Sequence, residues 1–196
     1  MKYLAAAVQM TSTGDTTGNL ERAVGLIKEA ASRGATLIGL PENWSMIRDE
    51  SDEPPAPISF DEGPMGALRA LCREKSVTLI AGTVPEAGPD GKVFNSCPVI
   101  GPDGEIISVY RKIHLFDVVI RGGEAHRESR HVAPGKDAVI ADTSCGKIGL
   151  SVCYDLRFPE LYRTLARRGA RVLSVPAAFT LHTGKDHWVV LIKARA

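Results

Sequence analysis

The sequence predicts an α/β protein in which a mixed β-sheet carries helices on its outer face, and three observations lead there. Apolar runs with a period of two alternate with segments whose apolar residues recur at three and four. Two pairs of β-rich runs are joined by glycine-containing turns too short for a crossover, so antiparallel pairing accompanies any parallel order. The run ATLIGL is continuously apolar, as strands covered on both faces are.

Taken in order, residues 2–9 (KYLAAAVQ) read as a first strand. Its lysine ahead of small apolar residues imitates a signal peptide, but the run is too short and Gln9 interrupts it. Asn19 is the expected N-cap of a helix with apolar positions Leu20, Ala23, Val24, Ile27 and Ala31, closed by Arg33-Gly34. ATLIGLP is a second strand, followed at once by Glu42. A carboxylate there stands either in water at the sheet rim or inside a pocket. Residues 48–64 (RDESDEPPAPISFDEGP), acidic and proline-rich, predict a surface loop. A helix over Met65 to Lys75 turns Leu68, Leu71 and Cys72 inward, and VTLIAGTVPE forms a third strand. FNSCPVIGPDGEIISVYRKIHLF is a hairpin about Gly-Pro-Asp-Gly, whose second strand ends in Tyr110-Arg111-Lys112 before Ile113, Leu115 and Phe116 return to the core. Residues 117–137, with Glu124, His126 and Glu128, are the longest irregular stretch, the kind that serves as a lid or binding loop. DAVIADTSCGKIGLSV is a second hairpin leading to Cys153. Pro159 suits the first turn of a helix over 159–168 with Leu161, Leu165 and Ala166 on its apolar face, and Gly169 stops it. RVLSVPAAF is a further strand and HWVVLIKARA a final helix.

The 196 residues suit one domain spanning 1–196, with 44% hydrophobic and 24% charged residues. A net charge of +1 gives no field for nucleic acid or an anionic membrane, and no apolar run nears the roughly 18 residues of a membrane span. Cys72, Cys97, Cys145 and Cys153 are scattered without a CxxC pair, so neither a metal cage nor a disulfide framework is expected and a reducing, cytoplasmic setting fits. Cys145 and Cys153 are not expected to pair.

Three polar residues stand where apolar strands run out: Glu42 after LIGLP, Lys112 after VYR and Cys153 after LSV. Taken singly, each has a plain reading as a solvated ion or a buried small hydrophobe. If the strands lie in one sheet in the same sense, their ends converge. A carboxylate, an ammonium and a thiol together suit acyl transfer from an amide. Glu42 would take the thiol proton, Lys112 and the backbone N–H of Tyr154 would hold the oxyanion, and Glu42 would protonate the departing ammonia and then activate water. The histidines (His114, His126, His131, His182, His187) fall in loops or turns and share no strand-end placement.

LPEN, YRKIHLFD and GLSVCYDLRFPEL resemble the three motifs of the nitrilase superfamily of carbon-nitrogen hydrolases, in the right order and over essentially the whole chain. The resemblance implies an α-β-β-α sandwich, a Glu42-Lys112-Cys153 triad, and no metal or organic cofactor. YRKIHLFD, CYDLRFPEL and AAFTLHTGKDHWVVLIKARA look most like the branch containing omega-amidase and deaminated glutathione amidase. That implies a small-molecule substrate, the terminal amide of a carboxylated compound resembling alpha-keto-glutaramate or deaminated glutathione, and a homodimer or higher homo-oligomer. It also marks Glu128 as a second glutamate that positions Lys112 or the attacking water. Arg157 would hold the substrate carboxylate, against an internal ion pair with Asp155 or Glu160. Phe179 and Thr183 would line the pocket, with core packing an equal account of Phe179. Two departures stand out. The loop FDVVIRGGEAHRES lacks the branch's proline before the glycine, and the family continues for roughly another half-domain beyond the point where this chain stops. A nitrilase or acyltransferase using the same triad, or an inactive truncated homologue serving as a dimeric or binding module, are the alternative expectations.

Overall fold

A computed structural model describes residues 2–47, 55–119 and 125–196. Short apolar runs place β1 (Leu4–Ala7), β2 (Ala35–Gly39) and β3 (Thr78–Ile80) side by side and parallel. Parallel neighbours need crossovers, and α1 (Thr16–Ser32) and α2 (Gly63–Lys75) supply them. Asp15, not Asn19, caps α1: its Oδ1 accepts from the N–H of Thr17 and Gly18, each at 3.1 Å. Both residues suit a cap, and the helix takes the earlier one. Asn19 is buried inside the helix instead, where its Nδ2 ties Thr13 O (2.8 Å) to Ser45 O (2.9 Å).

The single strand expected over VTLIAGTVPE is broken into β3 and β4 (Val84–Ala87). Both lie on one edge of β5 (Val93–Ile100), β3 at Val99 and Ile100 and β4 at Val93 to Ser96, while β6 (Ile106–Arg111) takes the other edge. The break faces Pro98, which accepts from Ala81 N at 2.9 Å but has no N–H to return. Gly82 makes the turn with φ +58°. The resulting sheet has six strands.

The described residues of the stretch 117–137 are more ordered than its composition suggests. It holds an antiparallel ribbon of β7 (Asp117–Val119) and β8 (Ala125–Arg127), then a short 3-10 turn over Glu128–Arg130. Glu124 lies outside the described residues, as does the first part of the 48–64 loop. β9 (Ile140–Thr143) and β10 (Gly146–Leu150) form the second hairpin, and β11 (Val172–Ser174) joins β10 in parallel to complete a three-stranded sheet. α3 (Pro159–Arg167) supplies that crossover, and α4 (Leu181–Arg195) begins at Leu181 rather than at His187.

Two apolar clusters set the layers. Ala23, Ile27, Met65 and Leu68 from α1 and α2 meet Ile38 and Leu79 on one face of the broad sheet. Leu37, Val99 and Tyr110 from its other face meet Ala141, Ile148 and Leu150 of the narrow sheet, which α3 covers with Leu161 and Leu165. This is the α-β-β-α sandwich that the motifs implied. Among the described residues no helix is long and apolar enough to cross a membrane, and all four cysteines are free.

Candidate active site

Three segments leave their strands and meet. After β2 the chain passes through Leu40 and Pro41 to Glu42, and Asn43 turns it with φ +52°, its N–H donating to Thr83 Oγ1 at 2.9 Å. Asparagine tolerates that left-handed conformation better than most side chains. After β6 comes Lys112, whose N–H donates to Asn95 O (2.9 Å) and whose carbonyl accepts from Gly135 N (2.8 Å). After β10 the chain reaches Cys153, whose N–H is held by Pro176 O at 2.9 Å and whose φ is +46°. A non-glycine residue strained in this way on a strand-to-helix turn pushes its side chain out of the sheet edge. Glu42 and Lys112 thus come from the broad sheet and Cys153 from the narrow one: convergence is across the sandwich, not along the edge of one sheet.

Glu42 and Lys112 are 4% and 2% exposed, which decides between a rim ion and a pocket group in favour of the pocket. Glu42 Oε1 accepts from Lys112 Nζ at 3.0 Å and from Asn95 Nδ2 at 3.0 Å, and its Oε2 accepts from Ala178 N at 2.9 Å. Lys112 Nζ also lies 3.1 and 3.0 Å from the two oxygens of Glu128. Glu128 is held in turn by Phe116 N at 2.6 Å and Asn95 Nδ2 at 3.3 Å. The Cys153 thiol shares the cavity with Glu42 and Lys112, close enough for both charges to act on it.

Burial alone would lower the Lys112 pKa, but the Glu42 and Glu128 carboxylates outweigh it and hold the ammonium well above the ordinary lysine value. Burial pushes the Cys153 thiol well above its usual range, the Glu42 carboxylate pushes it further, and Lys112 pulls it part of the way back. On balance the surroundings favour the protonated thiol at Cys153.

A cavity of about 580 Å³ opens over these groups, walled by Phe116, Tyr154, Arg157, Phe179, His126 and Arg130 among others. Tyr154 is second in the 3-10 turn Cys153–Arg157, where an N–H finds no acceptor within the turn. The Arg157 guanidinium lies over the rings of Tyr154 (5.6 Å) and Phe179 (5.8 Å), with Nη2 3.2 Å from His187 Nδ1. The two carboxylates weighed as its internal partners are engaged elsewhere: Asp155 with Tyr110, Val152 and His114, and Glu160 with Arg163. Phe179 both lines the cavity and packs edge-on to Trp188 at 5.0 Å. Thr183 falls within α4, and its side chain lies outside the described residues. Phe116, expected in the core, lines the cavity instead, its ring 5.2 Å from that of Tyr154.

Sequence reasoning missed four residues. Asn95 bridges the two glutamates, and its signal was an amide inside an otherwise apolar strand. A Cβ on Gly82 would stand 2.1 Å from Pro41 O, and one on Gly135 2.1 Å from Arg111 O. Each glycine thus lets backbone press against the residue just before Glu42 or Lys112. Asp155 is fully buried, and nothing in its local pattern separates it from a turn aspartate.

A thiol that can pass its proton to a carboxylate, beside an ammonium that can face a developing oxyanion, has the parts of cysteine-dependent acyl transfer. The chain belongs to the carbon-nitrogen hydrolase family, which it matches over residues 4–196. It is 46% identical over 198 residues to a deaminated glutathione amidase of Synechocystis sp., covering 99% of this chain and 73% of that protein. It is 38% identical over 194 residues to an omega-amidase of Mus musculus, covering 99% and 70%. Among solved structures, the C. elegans NitFhit protein matches with a TM-score of 0.86 at 33% identity, over 98% of this chain and 48% of that one. A Saccharomyces cerevisiae member of branch 10 of the nitrilase superfamily matches with a TM-score of 0.78 at 32% identity, over 94% and 67%.

Proposed function

We propose that the protein is an amidase that hydrolyses the omega-amide of a small carboxylated compound through a thioester on Cys153. The observation that carries this reading is the buried Glu42 carboxylate, hydrogen-bonded to the Lys112 ammonium and lining the same cavity as the Cys153 thiol. As sulfur attacks the amide carbon, its proton passes to Glu42, so the raised thiol pKa is met by a base in the same cavity. The carbonyl oxygen becomes an oxyanion between Lys112 Nζ and the Tyr154 N–H. Glu42 returns the proton to the leaving nitrogen, ammonia departs from a primary amide, and the thioester remains. Water then attacks the thioester carbon as Glu42 takes its proton, the C–S bond breaks, Glu42 returns the proton to the Cys153 sulfur, and the acid leaves. Glu128 keeps the lysine aimed throughout. Arg157, on the cavity wall with Phe179, pairs with the substrate carboxylate.

The names of the Synechocystis and mouse relatives favour amide hydrolysis over the nitrilase and acyltransferase alternatives, and point to omega-amides or deaminated glutathione. No step of this reaction calls for a metal or organic cofactor. A reducing cytoplasmic setting suits four free thiols. Exposed Val189 and Val190 on α4 suit association with a second copy.

The deciding experiment incubates the purified chain with alpha-keto-glutaramate and, separately, with deaminated glutathione, following ammonia or substrate loss and the mass of the Cys153 peptide. Hydrolysis with a transient acyl adduct, both absent in Cys153→Ala, is the expected result. A folded protein that hydrolyses neither and forms no adduct ends the amidase reading.

A further inference from the structure

Asp155 is completely buried, yet no step of the proposed reaction uses it. Its Oδ2 accepts from Tyr110 Oη at 2.7 Å and from Val152 N at 2.8 Å, and its Oδ1 accepts from His114 N at 3.0 Å, with His114 Nδ1 2.7 Å away. A carboxylate removed from water in this way is costly unless donors replace its hydration, and here every one of those donors lies within two residues of Lys112 or Cys153 in the chain. Tyr110 and His114 stand two residues to either side of Lys112. Val152 directly precedes Cys153, and Asp155 follows it by two. The lysine segment is pinned further by Ile113 N donating to Tyr110 Oη at 3.3 Å, and by the His114 ring stacked on Phe158 with centroids 3.6 Å apart.

These contacts join the two sheets at the point where the reacting groups meet. Glu42 and Glu128 hold the ammonium end of Lys112. The backbone beneath it, carried by the broad sheet, is tied through Asp155 to the backbone beneath Cys153, carried by the narrow one. We propose that Asp155 is a positioning residue that sets the separation between Lys112 Nζ and Cys153 Sγ by gripping both backbone segments at once. The inference rests on the roles given to Lys112 and Cys153 above. The carboxylate touches no reacting atom; it acts through the lysine.

The test compares the wild-type chain with Asp155→Asn and with Tyr110→Phe, which keeps the buried ring and deletes one hydroxyl, its bond to Asp155 and the longer one it accepts from Ile113 N. Misplacing an oxyanion donor by about 1 Å costs about 100-fold in turnover, so Asp155→Asn is expected to lower kcat by about that factor and Tyr110→Phe by about 5-fold, with KM within about 3-fold in both. The second readout is the rate of Cys153 alkylation by iodoacetamide at fixed pH. Lys112 lowers the thiol pKa, so a displaced ammonium leaves less thiolate and alkylation slows by about 3-fold. Simple loosening of the turn would do the opposite, exposing the thiol and speeding alkylation. Faster or unchanged alkylation, or a rise in KM with kcat kept, overturns the proposal. Should Asp155→Asn not fold, the Tyr110→Phe outcomes decide alone. If the wild type hydrolyses no omega-amide but its alkylation still slows in both variants, the amidase reading fails while the positioning role stands.

Discussion

The two outer helical layers are built very differently. Over the broad sheet, α1 and α2 bury Ala23, Ile27, Met65, Leu68, Leu71 and Cys72, most of them with no exposed surface. Over the narrow sheet, α3 buries Leu161, Tyr162 and Leu165, but α4 leaves Val189 58% and Val190 66% exposed and only half-buries Trp188, Leu191 and Ile192. The acid and the amine rise from the well-packed side. The thiol stands on the narrow sheet, and the cavity residues Arg157 and Phe179 rest against His187 and Trp188 of the thinly packed α4. Stability and substrate selection are therefore expected to reside in different layers, because preorganised proton transfer needs a rigid frame whereas a mouth can tolerate movement.

The sharpest way to break this contrast is to cut side chains on both sides. Leu68→Ala removes a fully buried side chain beneath the broad sheet and is expected to cost about 3 kcal/mol of unfolding free energy in a urea titration. Val190→Ala should cost under about 0.5 kcal/mol, the range of surface substitutions. Comparable losses from the two would show that α4 is held more firmly than its exposure indicates.

A smaller effect separates binding from stability. Arg157→Ala removes a guanidinium whose hydrogen bonds to a substrate carboxylate would contribute about 1.5–3 kcal/mol, so KM for a carboxylated omega-amide should rise by about 10- to 100-fold. Because the half-buried Arg157 has aromatic rings and an exposed histidine for neighbours, the urea midpoint should barely move. The check is to measure kinetics and unfolding on the same sample. A fall in stability with KM unchanged would make Arg157 a packing residue.

This division also explains what could be read from the sequence. Glu42, Lys112 and Cys153 were legible because each interrupts an apolar run at its end, a pattern that survives without knowing which strands pair. Their meeting across two sheets was not legible, since a period of two says which face a side chain takes but not which sheet its strand joins. The break at Gly82 depends on Pro98 lying opposite, a relation of register rather than of local pattern. Asn19 and Asp15 were equally good caps on local grounds, and the choice was made by Thr13 and Ser45, which Asn19 reaches only in the folded chain. Asp155 escaped for the same reason: three of its donors lie on distant or preceding segments, and a lone aspartate in a turn ordinarily faces water.

The smallest effect tests whether the two layers open together. Gly25 lies in the middle of α1, exposed, with nothing within 4 Å of where a Cβ would stand. Gly25→Ala should raise global stability by about 0.5–1 kcal/mol, the helix-interior difference between the two residues. Gly184, in the first turn of α4, would gain an ordinary contact with Phe179 Cβ at 3.7 Å. Gly184→Ala should slow hydrogen exchange at the α4 amides while adding less than half of the Gly25→Ala gain to the urea-derived free energy. A helix that opens on its own shows stabilisation locally before it shows it globally. Equal global gains would mean that α4 unfolds only with the core, and the contrast between the layers would then be one of exposure alone.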